Sequence, residues 1–174
     1  FPGAVWAWNS MIAAVCGDTM IWKPSSKTPL TSIAIQKIVN NVMEPMGWKG
    51  VMNLLVGSSR DVGEMLIHDR RAPLISATGS CGMGRKIGGA VSKRLGRTLL
   101  ELGGNNGIIV MSDADADLAL RAVLFGAVGT SGQRCTTTRR LFLHNSVSDD
   151  ITDRLVTAYG QVKIGDPLSD TTLM

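Results

Sequence analysis

The sequence predicts an α/β fold, a parallel sheet with helices on both faces, and three observations predict it. Short apolar runs alternate with longer segments in which apolar residues recur at helical spacing. Glycine and proline stand at the borders of those segments. Hydrophobic residues make up 44% of the 174 and charged residues 18%, the composition of a globular chain with a core of its own. Alternating strands and helices at this spacing argue for parallel pairing, with a helix crossing over between successive strands.

The elements follow in order. Residues 2–16 have apolar positions at helical spacing and stop at Gly17, so a helix is expected, with Cys16 in the core. TMIWK (19–23) is a short apolar run closed by Pro24 and reads as a buried strand. Residues 31–43 place Ile35, Ile38, Val39 and Val42 on one helical face. VMNLLVG (51–57) is the next strand, and 61–68 a short helix with Met65 facing in. APLISATGS (72–80) is a strand entering a glycine turn, and 83–95 the helix after it. RTLLELGG (97–104) and GIIVM (107–111) are strands. Residues 115–128 form a helix with acids in its first turn, where the helix dipole favours them. RRLFLH (139–144) is a strand, and 149–159 a helix with Ile151, Leu155 and Ala158 on one face. The glycine-rich ELGGNNG (101–107) is the best domain boundary.

The net charge of +4 is dispersed, with no Lys/Arg run longer than two, which argues against a nucleic-acid partner. Cys16, Cys81 and Cys135 are odd in number and form no C-x-x-C, so neither a disulfide framework nor a metal site is expected. The apolar start is broken by Asn9, Ser10, Gly17 and Asp18, so it is neither a membrane span nor a signal peptide.

Right-handed crossovers bring the loops after the strands to one edge of such a sheet, where ligands bind. The turn after TMIWK offers Lys23, able to reach a ribose hydroxyl or a phosphate, or else a solvated loop lysine. The turn TGSCGMGRK (78–86) fails both standard phosphate motifs. Arg85 stands where a P-loop needs lysine, and Ile87 where the dinucleotide fingerprint needs its third glycine. A strand leading through Gly79 and Gly84 into a helix N-terminus can still hold a phosphate, or can be a tight turn and nothing more. Glu101 ends an apolar strand beside paired glycines. It is placed for proton transfer if partly desolvated, and is otherwise an edge glutamate or an arginine partner. Cys135 lies in GTSGQRCTTTRR (129–140) between Arg134 and a threonine run. A loop cysteine among arginines is a candidate nucleophile; free cysteines are also among the most buried and inert residues.

WKPSSKTP, TGSCGMG, LELGGNN and GQRC occur in that order, and Glu101 precedes Cys135 by 34 residues. This set resembles the NAD(P)-dependent aldehyde dehydrogenase superfamily over essentially the whole chain, and the wording from LELGG to LFLH looks most like its antiquitin branch. The resemblance implies a Rossmann-like sheet followed by the start of a second α/β domain, with 1–103 the C-terminal part of the cofactor domain and 104–174 the N-terminal part of the catalytic domain. It implies Cys135 as nucleophile and Glu101 as base. Lys23 and Ser26 would lie at the ribose, Gly63 near the adenine, Gly79, Ser80 and Gly84 at the pyrophosphate, and Leu102 and Gly103 under the nicotinamide. Thr136 and Arg134 would face the substrate. The cofactor implied is NAD, with NADP the alternative. The substrate implied is α-aminoadipate semialdehyde, whose carboxylate suits Arg134, Arg139 and Arg140. A cytoplasmic homotetramer or homodimer is implied, with a mitochondrial location as the alternative.

The chain also departs from the family pattern. Ser26 replaces the usual ribose-chelating glutamate, and Cys81 and Gly82 replace the pair that usually follows Thr-Gly-Ser. The position of the family's oxyanion asparagine, immediately before its Phe-Pro, is expected to lie before residue 1, and Asn9 does not match it. A non-catalytic dinucleotide-binding or structural relative is the competing reading; keeping both Glu101 and Cys135 speaks against it. These 174 residues read as part of a longer enzyme, so the purified fragment is expected to show no aldehyde-dependent NADH formation. Turnover by the fragment in a spectrophotometric assay contradicts that expectation.

Overall fold

The computed structural model describes residues 1–174, which divide into two compact units, Phe1–Glu101 and Leu102–Met174. In the first unit, helix α1 (Ala4–Val15) ends where Gly17 takes φ +81°, a conformation that costs glycine little. Strand β1 (Met20–Trp22) pairs in parallel with β2 (Met52–Leu54) across helix α2 (Pro29–Met43). Pro29 opens α2, where its missing N–H leaves no bond unmade. The Gln36 side chain donates to the Met52 carbonyl at 2.9 Å, tying helix to strand. Trp6 of α1 stacks on Trp22 of β1 with ring centroids 4.8 Å apart.

A π-helical turn (Ser59–Gly63) runs directly into α3 (Glu64–His68). Strand β3 (Leu74–Gly79), helix α4 (Cys81–Lys93) and strand β4 (Arg97–Leu102) follow, and β3 pairs with β4. Arg94 closes this region. Its Nε donates to the Ile67 carbonyl at 2.9 Å and its Nη2 to the Ala72 carbonyl at 2.7 Å. In the turn before β3, the hydrogen bond from Arg71 lowers the Asp69 carboxyl to about 2. Its contribution to stability is therefore present above the ordinary carboxylate value of 3.8 and is lost as the pH falls towards 2.

In the second unit, β5 (Asn106–Val110) pairs in parallel with β6 (Thr138–Leu143) across α5 (Ala116–Val128), and α6 (Ser148–Gly160) completes it. Asp115 caps α5 by accepting from the Leu118 N–H at 3.0 Å. Val123, Ile151 and Leu155 are buried together, with Ile108, Leu120, Leu141, Leu143 and Val147 packed on them. The burial of Ile151 and Leu155 is that expected from the face they share.

The α/β class and the expected strands and helices are present, with four differences of detail. The strands pair two by two rather than in one continuous sheet. Cys16 is exposed, not in the core, because it caps α1 where the chain turns out at Gly17. Met65 faces out and Ile67 is the buried residue of α3, since the π turn before it rotates the helix face. Ile21, Ile38 and Val42 are exposed: three-residue strands cannot cover the whole apolar stripe of a 15-residue helix.

Ile151 has no exposed surface, so Ile151→Ala is expected to cost about 2–5 kcal/mol through lost burial and the cavity left behind. Exposed Val156→Ala is expected to cost under about 0.5 kcal/mol. Urea unfolding of the two variants in the full-length protein compares them.

Candidate active site

The cysteine loop begins where α5 stops. Residues Gly129–Gly132 form a kinked turn in which Thr130, Ser131 and Gly132 take left-handed φ of 53°, 54° and 65°. Left-handed conformations at two non-glycine residues cost of order 1 kcal/mol each, so other contacts must hold the turn. The Arg134 Nε donates to Thr130 Oγ1 at 3.0 Å. The Arg134 guanidinium lies over the Phe125 ring, 4.7 Å from its centroid. A Cβ on Gly129 would come 3.2 Å from Arg134 Nη2, so a glycine there leaves room for the guanidinium.

Buried Thr137 ties the loop from inside. Its Oγ1 accepts from the Arg134 N–H at 3.0 Å and donates to the Gly132 carbonyl at 2.9 Å. From β5, Asn106 Nδ2 donates to the Cys135 carbonyl at 2.6 Å and to the Thr137 carbonyl at 3.1 Å. Cys135 is exposed at this held stretch, and Thr136 beside it is exposed as well. The peptide bonds are trans, so a Cys135 carbonyl turned to Asn106 sends the Thr136 N–H the opposite way. Thr137 and Asn106 escaped the sequence reading. Thr137 is one of three consecutive threonines, and Asn106 one of two asparagines, so only the register picks them out.

The arginines after Cys135 lie on β6. Successive strand residues face opposite sides, so Arg139 and Arg140 diverge. Arg140 is turned to the Asn105 carbonyl at 2.9 Å and lies over Phe142. Of the three, Arg134 is the one woven into the cysteine loop.

Two turns of the first unit come together. Lys23, just after β1, donates to the Pro24 carbonyl at 2.6 Å. Its stem passes Gly63, where an added Cβ would sit 3.6 Å from Lys23 Cε, so the turns after β1 and β2 meet. Ser26 is exposed in the same β1 turn. Gly79 ends β3 and Ser80 caps α4, its Oγ accepting from the Met83 N–H at 3.2 Å. The helix starts two residues earlier than its apolar pattern suggested because this cap lets Cys81 and Gly82 join it. A Cβ on Gly79 would press on Met83 Cε at 2.5 Å, and buried Gly84 donates its N–H to the Ser80 carbonyl at 2.9 Å. No acid occupies the first turn of α4, as none does in α1 or α2, whereas α5 has Asp117 there and α6 has Asp149 and Asp150.

Glu101 and Leu102 are half-buried at the end of β4, and Gly103 follows them, exposed. Two open clefts lie elsewhere. One runs over Leu120, Arg154 and Gln161, the other over Gln36, Asn40 and Asn53, and neither includes Cys135 or the turn at Ser80. The side chains present no group of three His, Cys, Asp or Glu that could hold a metal ion, and no helix is long and apolar enough to cross a membrane.

The pattern of the aldehyde dehydrogenase family matches residues 1–174. The chain belongs to the aldehyde dehydrogenase family. It is 52% identical over 174 residues to aldehyde dehydrogenase family 7 member A1 of Brassica napus, covering 100% of this chain and 35% of that one. It is 45% identical over 173 residues to the α-aminoadipic semialdehyde dehydrogenase of Bos taurus, covering 99% of this chain and 32% of that one. The antiquitin-branch resemblance thus stands. Among solved aldehyde dehydrogenase-type folds, PnpE from Pseudomonas sp. WBC-3, solved also in complex with NAD, superposes with a TM-score of 0.93 at 32% identity, over 100% of this chain and 35% of its own. The NADP complex of glyceraldehyde-3-phosphate dehydrogenase GapN from Methanocaldococcus jannaschii superposes with a TM-score of 0.85 at 32% identity, over 90% of this chain and 34% of its own. The chain spans about a third of the length of the family relatives it matches.

Within this family member, Ser80→Ala removes the cap of α4 and is expected to cost about 1 kcal/mol, while Ser80→Asp keeps the acceptor and most of the stability. Denaturant midpoints of the two variants decide between these outcomes.

Proposed function

We propose that this chain supplies the nucleophile and the base of an NAD(P)-dependent aldehyde dehydrogenase. The observation that carries the reading is an exposed Cys135 whose carbonyl and neighbouring backbone are held by Asn106 and Thr137. Residues 1–103 are read as part of the cofactor domain and 104–174 as part of the catalytic domain.

Lys23, Gly63, Gly79, Ser80 and Gly84 fit the adenosine and pyrophosphate ends of a nicotinamide dinucleotide, and the α4 N-terminus supplies N–H donors to the phosphates. Leu102 and Gly103 are assigned to the nicotinamide end, and Ser26 to the ribose. The cofactor is read as NAD, with NADP as the alternative. Bound, it accepts the hydride that aldehyde oxidation releases.

The Cys135 thiolate attacks the aldehyde carbon, forming a C–S bond and placing negative charge on the former carbonyl oxygen. The Cys135 backbone N–H is a candidate donor to that oxygen. Once oxidised, the acyl group is held as a thioester on Cys135. Glu101 then takes a proton from water, whose oxygen attacks the acyl carbon and releases the carboxylate and the thiol. Thr136 lies beside the reacting carbon in this scheme. Arg134, next to the nucleophile in sequence and braced on Phe125, carries a positive charge suited to a substrate with a carboxylate. That chemistry, with the name of the bovine relative, favours α-aminoadipate semialdehyde as the substrate and a step of lysine breakdown as the role. A cytoplasmic homo-oligomer, with mitochondria as the alternative location, completes the reading.

In the full-length protein, Cys135→Ala is expected to abolish semialdehyde-dependent reduction of either nucleotide. Glu101→Gln is expected to lower steady-state turnover by about 10²–10⁴-fold while a first burst of reduced nucleotide survives. Stopped-flow absorbance reads both, and full turnover by Cys135→Ala ends the proposal.

A further inference from the structure

We propose that Asn106 is a positioning residue for the nucleophile, setting the direction of Cys135 through the two carbonyls its amide holds. The inference rests on the proposed role of Cys135 as nucleophile.

The amide nitrogen of Asn106 carries two hydrogens, and two carbonyl oxygens lie within reach of it, Cys135 O at 2.6 Å and Thr137 O at 3.1 Å. Both neighbours can only accept, so the nitrogen and not the oxygen of the amide must face them. The two carbonyls lie on either side of Thr136 in a turn that the Thr137 N–H closes onto the Arg134 carbonyl at 3.2 Å, and the amide bridges them from outside that turn. The strand ladder itself fails at this place. Asn106 pairs with Thr138, but Gly107 pairs with Arg140, so the register of β5 against β6 shifts at the very residue whose side chain takes over the hydrogen bonding.

The other restraints on the loop act around the cysteine. Thr137 Oγ1 holds the Gly132 carbonyl and the Arg134 N–H, and Thr130 Oγ1 accepts from the Arg134 side chain. The hydrogen bond to Cys135 itself comes from Asn106. Turning that carbonyl fixes the plane of the 135–136 peptide. With it go the exit direction of the side chain from Cα and the side to which the Thr136 N–H points. Gly104 leaves space for the amide: a Cβ there would lie 3.1 Å from Asn106 Oδ1. An aspartate at 106 has the same shape but no donor, and would set carboxylate oxygens against two carbonyl oxygens. A serine keeps one donor on a shorter arm.

The test uses the full-length protein with Asn106→Asp, Asn106→Ala and Asn106→Ser, and Cys135→Ala in parallel. Three quantities are read: kcat with the KM for aldehyde, the affinity for NAD by fluorescence titration, and the rate of Cys135 alkylation by iodoacetamide followed by mass spectrometry. The expected result is a fall in kcat of about tenfold to a hundredfold in Asn106→Asp and Asn106→Ala, the scale on which small misplacements of reacting groups act. The alkylation rate is expected to change in the same variants, NAD affinity to stay within twofold, and Asn106→Ser to recover part of kcat. Unchanged kcat and alkylation in both Asp and Ala variants, beside an inactive Cys135→Ala, overturns the positioning role and leaves the nucleophile standing. Loss of NAD affinity in step with kcat also overturns it, because general loosening of the fold moves both. Activity retained by Cys135→Ala marks failure of the underlying reading instead, and the positioning role falls with it. If Asn106→Asp does not fold, the Ala and Ser variants decide between the same outcomes by the same three measurements.

Discussion

The hydrogen bonds from Asn106 Nδ2 and Thr137 Oγ1 to the backbone of residues 132–137 are the constraint on which the candidate site depends. A thiol that must meet a small molecule has to be exposed, and an exposed side chain has few contacts of its own to keep it in place. Its position is then set by the backbone beneath it. Between Gly132 and Thr138 that backbone belongs to no regular ladder; two turn bonds, Gln133 N–H to the Thr130 carbonyl and Thr137 N–H to the Arg134 carbonyl, meet part of its need, and side chains supply the rest. Thr137 meets this need from a buried position, where a lost hydrogen bond is costly, and Asn106 meets it from the start of the adjacent strand.

The same unit shows why the loop tolerates left-handed residues. Thr130, Ser131 and Gly132 turn the chain out of α5, and the arginine that follows reaches back over them to Phe125. Beneath them, α5 and α6 close one side of β5 and β6 through Val123, Ile151 and Leu155. The apolar cluster fixes the strands, the strands fix Asn106 and Thr138, and these flank the segment that carries Cys135. Stability and chemistry are thus arranged in series, with the rigid part inside and the reactive part at its margin.

In the first unit the arrangement answers a different demand. A dinucleotide is long and carries its charge in the middle, so its recognition calls for close backbone approach and an N-terminal helix dipole rather than for a cationic side chain. In the proposed reading helix α4 would meet this with Ser80 as cap and glycines in and before its first turn, although neither standard phosphate fingerprint is present in its sequence. Lys23 lies along Gly63 instead of extending freely, so two turns that are distant in sequence share one surface.

The sequence by itself determined the order of the β-strands and α-helices, the helix-face burial of Ile151 and Leu155, the turn at Gly17, and a motif order specific enough to place the chain in its family. Those features are local: periodicity, capping and glycine punctuation act within a few residues. Tertiary structure alone decided that Ile67 rather than Met65 turns inward, that Cys16 is exposed, and that Ile38 and Val42 stay uncovered, because burial depends on what another segment brings to that face. It also singled out Asn106 and Thr137 from neighbours of the same type. Asn106 meets carbonyls 29 and 31 residues away, and a hydrogen bond across such a distance is written in the register of two paired strands, which no short stretch of sequence contains.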